Sequence, residues 1–136
     1  MKPIAAVLLL MAAAAALPDR AWACSAGQGF HRLSTKDAEV AYRFEPPHLK
    51  VGQFFAAEVI ACRAPGGEPV RDVLIDATMP AHGHGMNYRP SSTRTGDGHY
   101  RFRGLMLHMP GAWQITVDLV QGTKRTRLVH SVNLAP

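Results

Sequence analysis

Between residues 38 and 134 apolar side chains recur at every second position in one segment after another, and no segment carries sustained helical spacing. A chain patterned in this way buries a core by pairing strands into sheets and closing the apolar faces of those sheets on each other. Val40, Tyr42 and Phe44 alternate with Glu39, Ala41 and Arg43 in the first run, which Pro46 and Pro47 end because proline lacks the ladder donor. Runs over 52–62 and 70–79 follow, parted by "RAPGGEP", whose glycines and prolines are turn chemistry. An irregular stretch, 80–98, comes next, with a short edge strand expected near Met86 to Arg89. Alternation resumes in "HYRFRGLMLH" and in "AWQITVDLV", where Trp113, Ile115, Val117 and Leu119 share one face. "QGTK" is a tight hairpin connection, and "RTRLVHSVNL" is the last strand. This pattern predicts an all-β fold, a single immunoglobulin-like antiparallel β-sandwich of about seven strands, over residues 38–136. Residues 24–37 carry no clear pattern and are expected to be coil or a short helix.

The N-terminus has a different character. Lys2 and Pro3 precede an apolar run from Ile4 to Leu17, shorter than the roughly 18 residues of a membrane-spanning helix, and Ala21-Trp22-Ala23 fits the small-x-small rule for cleavage. Residues 1–23 therefore read as a signal peptide whose removal leaves Cys24 first, with no transmembrane helix remaining, and the protein is expected to be periplasmic or secreted. A cysteine at that position also raises lipidation. Against it stand the bulky Trp22 and the presence of Ala21 where a lipidated cysteine usually has leucine three residues upstream. Only Cys24 and Cys62 remain in the exported chain, and an oxidising compartment favours a Cys24–Cys62 disulfide. The other reading leaves Cys62 as a buried small apolar residue and Cys24 free or modified.

Cleavage leaves 113 residues, enough for one domain, with 13 basic and 9 acidic side chains and a net charge of +4. The densest basic run, "TKRTRL" at 123–128, alternates like a strand and reads as a solvated hairpin face, so no nucleic acid is expected as a partner. Enzyme signatures are missing as well: there is no GxSxG elbow, no HExxH, no phosphate-cradling glycine loop and no cysteine with a readable base. The chain is expected not to be an enzyme.

The segment "MPAHGHGMNY", 79–88, stands out. In a seven-strand Greek key the connections alternate between the two ends, which brings the loop after the third strand to the same end as the loop between the fifth and sixth. The first carries Met79, His82, His84 and Met86; the second carries Met106, His108 and Met109. Thioether and imidazole together favour copper, chiefly Cu(I), over magnesium or calcium, which want oxygen ligands. The candidate metal ligands are therefore His82, His84, Met86, Met106, His108 and Met109, with His99 as an outlying one. The plainer alternative makes the methionines core filler and His82 and His84 turn residues. His31, His48 and His130 have no partner at ligand spacing and are expected to be satisfied or exposed.

"VLIDATMPAHGHGMNYRP" followed by "GDGHYRFRGLMLHMPGAWQITVDL" resembles the YtkA-like and FixH-like domain family, whose pattern is a strand ending in Met-Pro, a His/Gly/Met segment, Gly-x-Tyr, and Met-x-Gly-x-Trp or a close variant. Here the last two elements are Gly98-His99-Tyr100 and Met109-Pro110-Gly111-Ala112-Trp113, and His82 stands where relatives often have methionine. The resemblance implies a small non-catalytic immunoglobulin-like domain, often placed beside copper handling or oxidase assembly, with a periplasmic protein partner. Two functions follow as expectations: a copper-binding exported domain, or an accessory module that binds a protein or small ligand without metal.

Overall fold

The computed structural model describes residues 24–136; the signal-peptide reading of 1–23 lies outside the described residues. Nine strands form two antiparallel sheets: β1 (His31–Ser34), β2 (Ala38–Glu45), β3 (Phe54–Arg63), β4 (Asp72–Met79), β5 (His84–Gly85), β6 (Ser91–Gly96), β7 (His99–Met106), β8 (Gly111–Gln121) and β9 (Lys124–Leu134). One sheet has the order β1-β2-β3-β7-β6 and the other β5-β4-β8-β9.

Their facing sides supply the core. Val40, Tyr42, Val59, Val73, Met79, Leu105, Leu107, Trp113, Ile115, Val117 and Leu119 are almost wholly excluded from water. At about 25 cal/mol per Å² of apolar surface removed from water, this layer is the main stabilising contribution of the fold. β2 is buried on both faces because residues 24–30 cover its outer side. There Cys24, Ala41 and Ile60 form a second, smaller cluster with Ala26, Phe30 and Cys62, stapled by the Cys24–Cys62 disulfide. In the chain-entropy model, cross-linking residues 38 apart stabilises by about 4 kcal/mol.

The all-β two-sheet fold is as expected, with nine strands among the described residues where about seven were expected. Residues 31–34, expected as coil or helix, form β1 along the edge of β2. The segment 91–96, expected to be irregular, pairs with β7 as β6, and the short edge strand falls at 84–85 rather than 86–89. Both added strands are polar or largely exposed edges held by backbone pairing, so no apolar alternation marks them.

A bulge in β7 shapes the end of the sandwich where β7 leads into β8. Gly104 takes φ +81°, and the register against β3 jumps there: Arg103 opposes Ala56, whereas Leu105 opposes Phe55. Tyr100 and Phe102 therefore face the core before the bulge and Leu105 and Leu107 after it. Met106 is consequently turned to the outer side, opposite the exposed Phe54.

Candidate metal site

The stretch after β4 is a turn, and it presents histidines. The His82 amide donates to the Met79 carbonyl at 3.1 Å and the Gly83 amide to that of Pro80 at 3.4 Å, while Gly83 takes φ +64°. The chain thus doubles back, and β5 pairs His84 with Met79 and Gly85 with Thr78. The Met86 amide donates to the Ala77 carbonyl at 3.1 Å and prolongs the pairing. His82 and His84 are left exposed on this hairpin.

The connection from β7 to β8 crosses between the sheets at the same end. Trp113, fully buried, donates its indole N–H to the Met109 carbonyl at 3.0 Å, which fixes the Met-Pro-Gly-Ala-Trp turn. Gly111 adopts φ +116° with the Met79 methyl against it; a Cβ there would lie 3.1 Å from Met79 Cε. The Leu107 carbonyl accepts the Gly52 amide at 2.9 Å, which ties the β2–β3 connection to this end.

The two connections meet at their histidines. Ring centroids lie 6.1 Å apart for His82 and His84, and 6.2 Å apart for His84 and His108. The His108 ring packs edge-on against Trp113 at 5.4 Å. Its Nδ1 is buried and has no hydrogen-bond partner, a costly state for a polar atom that a bound ion or donor would relieve. With metal–nitrogen bonds of roughly 2.0–2.1 Å, two imidazoles on one ion have centroids about 5–6 Å apart. The observed spacings lie just beyond that range, so a small closure of the hairpin would bring the rings onto one ion. Among the described residues no group of three or more His, Cys, Asp or Glu side chains is already gathered closely enough to hold an ion.

The remaining expected ligands divide. Met86 and Met109 are half-buried and pack against the edge of the core at this end. Met106 lies on the outer face opposite Phe54, and Phe54 contacts Tyr88 edge-to-face at 5.2 Å. Met79 is core filler, with no exposed surface. His99 does not join the group: it opens β7, which ends at Met106, so it stands roughly 23 Å along the strand from the loop end.

Sequence reasoning missed a second set of rings. His31 of β1 and His130 of β9 lie 5.4 Å apart, centroid to centroid, over the buried Tyr42, whose hydroxyl hydrogen-bonds His130 Nδ1. With His48 they line a cleft of about 300 Å3. Burial, and secondarily the neighbouring His31, lower the pKa of His130 below 6.5; burial also raises that of Tyr42 well above its ordinary value. The two rings come from the first and last strands, so no sequence spacing announces them.

Fold and loop end together define a class: a small two-sheet β-sandwich that displays imidazoles and thioethers on the connections at one end. Residues 34–118 match the YtkA-like family model, and the chain belongs to that family. The crystal structure of a DUF4426 family protein from Pseudomonas aeruginosa PAO1 is similar in fold, with a TM-score of 0.54 at 13% identity, covering 80% of this chain and 97% of that one. No curated protein matches the chain.

Proposed function

We propose that the protein is a non-catalytic exported domain that binds a metal ion, copper by preference, between the two connections at the loop end. The observation that carries this reading is the meeting of His84 with His108, whose buried Nδ1 lacks a partner. The donors available fit a soft ion, which would draw its ligands from the imidazoles of His82, His84 and His108 and the thioethers of Met86 and Met109. Gly83 and Gly85 flank His84, so the hairpin can close on an ion without dragging bulky neighbours. Copper bound here would be carried. The disulfide supports residence in an oxidising compartment, and it occupies the sulfur that lipidation would need. A protein partner in metal handling or oxidase assembly would receive or deliver the ion.

The test is Cu(I) titration of the mature protein under conditions that keep copper reduced, against a competing chelator. One ion per chain is expected, and replacing His82 and His84 together by asparagine should weaken binding at least about tenfold with the fold unchanged, because exposed loop changes cost no more than about 0.5 kcal/mol. Unchanged affinity in the folded double variant would overturn the site. The second reading, an interaction module without metal, is favoured by the exposed Phe54 and Tyr88, 57% and 48% accessible, beside Met106. Stoichiometry far below one per chain would select it.

A further inference from the structure

Cys24 is 2% exposed, and its backbone is held at both ends of the residue. Its N–H donates to Glu39 Oε1 at 3.0 Å, and its carbonyl accepts Arg32 Nη1 at 3.0 Å. Arg32 Nη1 also reaches the same Glu39 oxygen at 2.6 Å. Glu39 keeps only 10% of its side chain accessible, in an apolar layer with Ala41, Ile60, Phe30 and the Cys24–Cys62 disulfide. Arg32, by contrast, is 41% exposed, so water shares its charge. A carboxylate placed in an apolar layer is costly unless a cation faces it from within. A neutral backbone amide would be satisfied by any carbonyl; it does not call for a buried carboxylate.

We propose that cleavage between Ala23 and Cys24 converts this amide into an α-ammonium that Glu39 receives as a buried ion pair, so that Glu39, Arg32 and the disulfide form a receptor for the processed chain end. The step belongs to a signal peptidase and one water. The Ala23–Cys24 C–N bond breaks, the water oxygen becomes part of the Ala23 carboxylate, and the Cys24 nitrogen leaves as an amine that takes up a proton below its pKa of about 8. The proposal rests on reading residues 1–23 as a cleaved leader and is independent of the metal site. It gives Cys24 a role beyond its sulfur: the first residue locks its own segment over β2, and acylation is blocked at amine and thiol alike.

The test uses the full chain, expressed with its leader and purified from the periplasm. Intact mass should place the N-terminus at Cys24. Brief labelling with acetic anhydride near neutral pH, read by mass spectrometry after digestion, should modify that amine about tenfold or more slowly in the folded protein than in the denatured one, as expected for a charge-assisted hydrogen bond. Glu39→Gln should restore the rate to that of the denatured control. Should that variant not fold, the pH profile of labelling in the wild-type protein decides: an apparent pKa above about 8 supports the receptor, and one at or below it overturns the proposal. An N-terminus elsewhere, or equal labelling of folded and denatured wild type, also overturns it, whatever the outcome of copper titration.

Discussion

Replacing Gly98 by alanine tests how the β6–β7 hairpin is seated against β3. Gly98 takes φ +67°, and a Cβ built there would lie 2.5 Å from the Ala61 carbonyl oxygen. Ala61 in turn donates its N–H to the Gly98 carbonyl at 2.8 Å. A left-handed conformation costs alanine about 1–2 kcal/mol. The overlap is with backbone of a central strand, so the hairpin must draw back and weaken a hydrogen bond worth about 0.5–1.5 kcal/mol net. Together the loss is about 1.5–3.5 kcal/mol, and for a domain of this size each kcal/mol lowers the Tm by about 4 °C, so the midpoint should fall by about 6–14 °C. Thermal unfolding followed by circular dichroism, with urea unfolding to confirm an unchanged m-value, measures it. Gly66→Ala is the control, since Gly66 has φ +73° but nothing within 4 Å of a Cβ, and it should lose only the conformational part. Equal losses in the two variants would refute the close-approach argument.

Other outcomes follow from the same structure. Cys62→Ser should lose about 4 kcal/mol of stability in non-reducing urea unfolding, and reductant should bring the wild-type protein toward the variant. His130 is kept neutral by burial, so the folded chain resists protonation while the unfolded chain takes a proton up near pH 6.5. Its contribution is therefore complete above pH 6.5 and lost as pH falls through the lower folded-state pKa; His130→Asn should flatten that limb of the pH–stability curve, and an unchanged slope would contradict the assignment. Met79→Leu should cost less than about 1.5 kcal/mol and leave copper affinity unchanged, whereas Met109→Leu, at similar cost, should weaken it. Isothermal titration of both variants distinguishes core filler from ligand.

How far the fold was legible depends on which residues face the core. Trp113, Ile115, Val117 and Leu119 declare β8 because every second side chain is apolar and lies in the core. β6 reads "SSTRTG" with every residue exposed, so neither face carries an apolar signal, and only the partner β7 makes it a strand. The β7 bulge was hidden in the same way. Strict alternation from Tyr100 would place Met106 on the core side, and only the register jump at Gly104 turns it out beside Phe54. The approach of His84 to His108 was readable from the parity of the connections, a property of topology. The His31–His130 contact depends on how β1 approaches β9 across the open edge of the sandwich, a relation that neither strand's own pattern encodes.

Packing separates the residues of the family pattern into two kinds. Met79 fills the core against Gly111, Trp113 is buried and bonds the turn before it, Tyr100 packs inside, and Gly98 sits where a side chain would strike Ala61. Each of these is explained by the sandwich alone. His82 and His84 are different. They are exposed, neither fills a cavity, and the hairpin's backbone bonds run through Met79, Pro80 and Ala77 without needing an imidazole. His108 is held against Trp113 with an unsatisfied Nδ1, an arrangement that costs stability and that leucine or phenylalanine would avoid. Stability therefore accounts for the methionine, glycine and tryptophan of the pattern and leaves the histidines without a structural reason. That residue of unexplained, costly polarity at one end of the sandwich is the physical ground of the proposed metal site.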